Sequence, residues 1–91
     1  MKLLSVKEIF EKQQELAGQV IVVSGWVKTK RLGKEIGFVE LGDGTCMKNI
    51  QVVADVKEHK ELTFGVGACL LVNGVVKLTP EAKQPFEVIA K

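Results

Sequence analysis

The segment from Gln19 to Lys30 constrains the fold more than any other part of the chain. It contains Val20-Ile-Val-Val-Ser-Gly-Trp-Val27, a run too apolar and too rich in β-branched residues for a surface helix. It is read as one long strand. Gly25 in its middle predicts a bulge or sharp bend, the feature that lets a long strand curl around a barrel.

The rest of the chain supplies partners for that strand. Arg31 to Glu35 is a polar loop, and Ile36 to Leu41 a second strand. Gly42-Asp-Gly-Thr45 is a hairpin turn, since Asp-Gly supplies the positive φ values such turns need. Lys48 to Ala54 alternates as a third strand. Asp55-Val-Lys-Glu58 has the form of a capping box and opens a short helix to about Leu62. Phe64 to Ala68 is a tight connection. Ala68 to Leu78 is a fourth strand with a bend at Asn73-Gly74, Pro80 to Pro85 a loop, and Phe86 to Ala90 a fifth strand. Ahead of all this, Ser5-Val-Lys-Glu8 is a second capping box. Val6, Ile9, Phe10 and Leu16 follow at helical spacing, and Gly18 is a stop signal, which predicts a helix from Val6 to Ala17.

Five strands with a helix between the third and fourth predict an all-β fold, the five-stranded Greek-key OB barrel, with an N-terminal helix in front. A five-stranded sandwich or SH3-like barrel would leave the helix at that position unexplained. With 91 residues there is room for one domain. Residues 1–18 are expected to form a helix packed on the barrel of residues 19–91.

The net charge of +2 says little, but its distribution says more. Lys28, Lys30, Arg31 and Lys34 fall close together, which suggests a localised anionic partner. Cys46 and Cys69 have no metal-binding spacing and are expected as reduced thiols in or near the core. No cofactor or metal site is indicated. The first residues do not resemble a secretory signal, and no apolar run approaches the roughly 20 residues of a membrane span. A soluble, cytoplasmic protein is expected. Enzyme chemistry is not signalled either. His59, the single histidine, is expected to be exposed on the short helix, Ser5 is a cap and Ser24 a strand residue. Asp43 and its flanking glycines read as a turn, not as a catalytic acid or a phosphate cradle.

The informative constellation is a basic loop, an aromatic in strand two and an amide in strand three. If Val39 and Leu41 point into the barrel, Phe38 and Glu40 point out. With Ile50 and Val52 inward, Asn49 and Gln51 point out. Phe38 and Gln51 then share an exposed face, where a ring offers a stacking platform and an amide can read a base edge. Arg31 at the rim can hold a phosphate. The opposite alternation would instead place Phe38 in the core.

At these residues the chain resembles the N-terminal anticodon-binding domain of class IIb aminoacyl-tRNA synthetases, which charge tRNA with asparagine, aspartate or lysine. The segments are Val22-Val-Ser-Gly-Trp-Val-Lys-Thr-Lys-Arg31, Gly37-Phe-Val-Glu-Leu-Gly-Asp-Gly-Thr45, Ile50-Gln-Val-Val53, Gly67 to Val76 and Gln84-Pro-Phe-Glu-Val-Ile89. The residues after the turn, Asp-Gly-Thr-Cys-Met-Lys-Asn-Ile-Gln-Val, and the ending Gln-Pro-Phe-Glu-Val resemble the asparaginyl subgroup most. The resemblance implies that Phe38 stacks on the central anticodon base, a uridine, and that Gln51 hydrogen-bonds it. It further implies that Arg31 contacts the loop from the rim, that Glu87 lies near the anticodon, and that Lys28, Lys30 and Lys34 add phosphate contacts. It also implies dimer contacts, much of them in a catalytic domain whose motifs are absent from these residues. A non-specific single-strand binder and a protein-interaction scaffold are the other functions open to such a barrel.

Overall fold

The structure is a computed structural model that describes residues 3–45, 47–56, 65–79 and 85–90. Its elements are β1 (Leu3–Leu4), α1 (Val6–Glu11), α2 (Gln13–Leu16), β2 (Val20–Leu32), β3 (Ile36–Gly42), β4 (Ile50–Asp55), β5 (Cys69–Leu78) and β6 (Phe86–Ala90). The sheet order is β1-β2-β3-β4-β6-β5, and β5 pairs back onto β2, so the sheet closes on itself. The five long strands form the OB barrel read from the sequence. The predicted short helix, with His59 on it, lies in large part outside the described residues.

Closure depends on β2 serving two neighbours. Val20 to Trp26 pairs antiparallel with β5, and Trp26 to Leu32 pairs antiparallel with β3. The register slips between Val27 and Thr29, so Lys28 is the extra residue of a bulge. The bulge thus falls three residues beyond Gly25. Gly25 itself allows a close approach, because a Cβ there would stand 2.6 Å from the carbonyl oxygen of Gly42. Gly74 does the same on β5, pairing with both Ile21 and Ala90 as the strand passes from β2 to β6.

Alternation is regular enough to separate core from surface. Val39 and Leu41 of β3, Ile50, Val52 and Ala54 of β4, Val72 and Val76 of β5, and Phe86 and Val88 of β6 are buried. One end of this core is filled by α1, whose Val6 and Ile9 are fully buried. Phe10 meets Phe86 edge to face, with ring centroids 4.9 Å apart. The capping box forms as read: Ser5 accepts from the Glu8 amide, and the Glu8 carboxylate accepts from the Ser5 amide at 3.2 Å. A second anchor comes from the hairpin turn, where the Asp43 carboxylate accepts from the Val6 amide at 2.9 Å and Thr45 Oγ1 accepts from the Lys7 amide at 3.0 Å.

Three local expectations need correction, and one short strand is additional to them. The helix expected over Val6 to Ala17 breaks at Lys12, whose φ of −110° and ψ of 18° leave the helical region. The Phe10 carbonyl then takes a hydrogen bond from the Gln13 side-chain amide at 3.0 Å. The first long strand runs on to Leu32, so Arg31 sits in the ladder and not in a loop; Gly33 closes the hairpin by donating to the Ile36 carbonyl at 2.9 Å. Leu3 and Leu4 form a short parallel strand on β2, too brief to show any periodicity. Cys69 is exposed rather than in the core, because β5 buries Val72 and Val76 and its opposite phase, Cys69 and Leu71, faces outward. Cys46 is outside the described residues.

Candidate nucleic-acid interface

Two parallel rows of side chains cross the outer wall of the barrel. In the first, Arg31 is opposite Phe38, Phe38 opposite Val53, Val53 opposite Ile89, and Ile89 opposite Val75. In the second, Thr29 is opposite Glu40, Glu40 opposite Gln51, Gln51 opposite Glu87, and Glu87 opposite Lys77. The first row is aromatic and aliphatic with an arginine at one end. The second is polar throughout. Their strand neighbours Val39, Val52 and Val88 are buried, so alternation turns both rows outward.

The two alternatives for Phe38 are resolved by this geometry. Its ring is half-buried on the wall and takes no part in the core cluster. The Arg31 guanidinium carbon lies 5.0 Å from the ring centroid, a cation–π distance. In the neighbouring row Gln51 Nε2 donates to Glu87 Oε2 at 2.7 Å. Phe38, Gln51, Arg31 and Glu87 therefore share one face.

The lysines are distributed less uniformly. Lys28, at the bulge, and Lys34, in the hairpin loop, are exposed, and the Lys28 side chain reaches over Gly42 of β3. Lys30 is opposite the buried Val39, so it leaves the strand on the other side from Arg31. Thr29, Val75, Lys77 and Ile89 belong to the face but were not singled out from sequence. Alternation in β6, with Phe86 and Val88 inward, puts Ile89 on the same side as Glu87.

Charge is arranged by position across this wall. Its centre holds two carboxylates, Glu40 and Glu87, beside Gln51, with Arg31 on β2 at one side and Lys77 on β5 at the other. No group of three or more His, Cys, Asp or Glu side chains among the described residues is placed to hold a metal ion.

Residues 21–91 match the tRNA anti-codon family, an OB-fold nucleic acid binding domain. The chain belongs to this family. It is 45% identical over 93 residues to the asparagine–tRNA ligase of Alkaliphilus metalliredigens, covering 99% of this chain and 20% of that protein. The chain thus spans about a fifth of the length of the curated relatives it matches. The asparaginyl-tRNA synthetase of Pyrococcus horikoshii, solved with asparaginyl-adenylate, superposes with a TM-score of 0.79 at 23% identity, covering 99% of this chain and 21% of that one. A putative aspartyl-tRNA synthetase from Leishmania major gives 0.81 at 20% identity, covering 99% and 19%. At such identities these two likenesses concern the fold. With the family match and the ligase sequences, the chain is homologous to the N-terminal OB domain of asparaginyl-tRNA synthetases.

Proposed function

We propose that this OB domain recognises the anticodon loop of a tRNA and serves as the recognition module of an asparagine–tRNA ligase. The observation that carries the reading is the shared outer face of Phe38 and Gln51, flanked by Arg31. The central anticodon base stacks on the Phe38 ring, an interaction of about 1–3 kcal/mol per base. Gln51 meets the edge of that base. The loop backbone follows the positive charge of Arg31, Lys28 and Lys34. Homology to the asparaginyl enzymes supports the choice of amino acid, and the cytoplasm is the compartment that goes with translation. Catalysis is assigned to other parts of such a ligase.

Binding to three anticodon stem-loops that differ only at the middle base, beside an unrelated single strand of equal length, tests this reading. Selective binding of the stem-loop with a central uridine is expected. Equal affinity for all four RNAs would make the domain a general single-strand binder. No binding to any of them would leave the face to a protein partner.

A further inference from the structure

Of the aromatic side chains among the described residues, Phe10 and Phe86 pack on each other, whereas Phe38 and Trp26 stand on the outer wall. The strand neighbours of Trp26, Gly25 and Val27, are buried, so alternation turns the indole outward, and it is 49% exposed. Trp26 is opposite Gly42, which follows Phe38 and Glu40 in the outward phase of β3. At about 3.3 Å per residue, Gly42 lies about 13 Å along the strand from Phe38. One base cannot touch both rings, but another nucleotide of the same loop can reach the second.

The surroundings of the indole suit a nucleotide. The bulge exposes two consecutive residues, Lys28 and Thr29. Gly42 has no side chain, and those of Lys28 and Asn49 lie over it: a Cβ there would run into Asn49 Oδ1 and stand 3.1 Å from Lys28 Cε. Among the described residues the side chains of Trp26, Lys28 and Asn49 have no hydrogen bond or ion pair. The indole offers a stacking face, the ammonium a partner for phosphate, and the amide a donor and an acceptor for a base edge. Phe38, Arg31 and Gln51 supply the same three kinds of group in the neighbouring rows. An apolar protein surface would leave Lys28 and Asn49 unpaired, which favours a nucleotide as the occupant.

We infer that Trp26, with Lys28 and Asn49, forms a second nucleotide subsite, which takes a base of the loop other than the one stacked on Phe38. The inference rests on the anticodon-loop reading. The path between the two subsites follows β2, where the uncharged Thr29 lies between Lys28 and Arg31, while the carboxylates of Glu40 and Glu87 project from β3 and β6.

Trp26 is the only tryptophan and the chain has no tyrosine, so indole emission reports this subsite alone. The domain is titrated with the central-uridine stem-loop while emission and RNA anisotropy are followed together, and again with stem-loops made abasic at each loop position in turn. Emission should fall with the midpoint of the anisotropy change. Removing one base other than the middle one should abolish the quench and weaken binding by about fivefold or more, as expected for the loss of one stacked base. Trp26→Ala should show the same loss with the intact stem-loop and become insensitive to that abasic position, and Trp26→Phe should recover most of the affinity. RNA binding with unchanged emission, or a quench that no abasic position outside the middle one removes, overturns the inference while the anticodon reading stands. Trp26 would then belong, with the exposed Leu71 on the neighbouring strand, to a protein contact. Absence of binding to any stem-loop overturns both.

Discussion

The Arg31 guanidinium lies over the Phe38 ring, 5.0 Å from its centroid, and the two residues are directly opposed across β2 and β3. The Phe38 ring is thereby paired with a cation that also suits phosphate. Arg31 thus links the stacking surface to the positive charge of β2. Removing the ring should remove most of the affinity for a base and little of the fold, since Phe38 is only half-buried. Phe38→Ala is expected to weaken binding to a central-uridine stem-loop by about 1–3 kcal/mol, roughly 5- to 150-fold in Kd. Phe38→Tyr should stay near wild type. Titration by fluorescence anisotropy, with melting curves for each variant, checks this. Unchanged affinity in a folded Phe38→Ala domain would remove the ring from the site.

The side on which each cation leaves the barrel should be visible in the salt dependence. Affinity for single-stranded RNA falls with salt at a slope of about −0.7 per phosphate neutralised. Lys28 and Lys34 are exposed, so alanine at either should reduce the slope by about 0.7. Lys30 is opposite Val39 and faces the other way. Lys30→Ala should change the slope least. A series of dissociation constants between low and moderate salt decides this, and a Lys30 effect equal to that of Lys28 would count against the assigned side.

The strands could be read from sequence because their apolar periodicity is clean: Val39 and Leu41, then Ile50, Val52 and Ala54, are buried as alternation requires. The phase of β3 could not be decided that way, because Phe38 lies in a short apolar run whose two faces look alike. Its register against β2 and β4 settles the matter. A basic run reads as a solvated loop, whereas pairing with β3 extends the strand by two residues and takes in Arg31. The break at Lys12 had no local breaker such as proline or glycine to announce it. The Gln51–Glu87 bond joins residues far apart in sequence through a parallel strand pair, and no local pattern carries that information.

Two glycines mark where the backbone itself limits the barrel. A Cβ on Gly74 would stand 2.6 Å from both the Ile89 carbonyl oxygen and Val88 Cγ1, and one on Gly25 2.6 Å from the Gly42 carbonyl oxygen. Backbone atoms cannot yield as a flexible side chain does. Alanine at either position is expected to cost at least about 1–3 kcal/mol, the usual range for overpacking. Gly74→Ala should be the worse, because its Cβ meets two atoms at 2.6 Å, whereas on Gly25 the second and third contacts are at 3.0 and 3.1 Å. Urea unfolding of the two variants measures this. A Gly74→Ala midpoint equal to wild type would mean that β5 and β6 can separate without penalty.

Acid should loosen the joint between the hairpin turn and α1. Burial of Asp43 by itself raises its carboxyl pKa, but hydrogen bonds from the Thr45 hydroxyl and from the Val6 and Thr45 amides outweigh it, and the net shift is downward from the ordinary 3.8. Val6 follows the cap of α1 and is fully buried, so this carboxylate ties the helix start to the β3–β4 turn. A group whose pKa falls on folding stabilises the fold when ionised in both states. That contribution is complete above the unfolded value and is lost as pH falls through the folded one. Asp43→Ala should therefore lower stability near pH 7 by about 1–2 kcal/mol, in the range of a lost helix cap. For a domain of this size that is a drop in Tm of several degrees. The gap between variant and wild type should begin to narrow as pH falls past the ordinary 3.8 and should close only as pH passes below the lowered folded value. Thermal melts of both proteins from pH 7 to pH 3 read the difference directly. A gap that stays constant across that range would show that Asp43 acts through the shape of the turn alone and not through its charge.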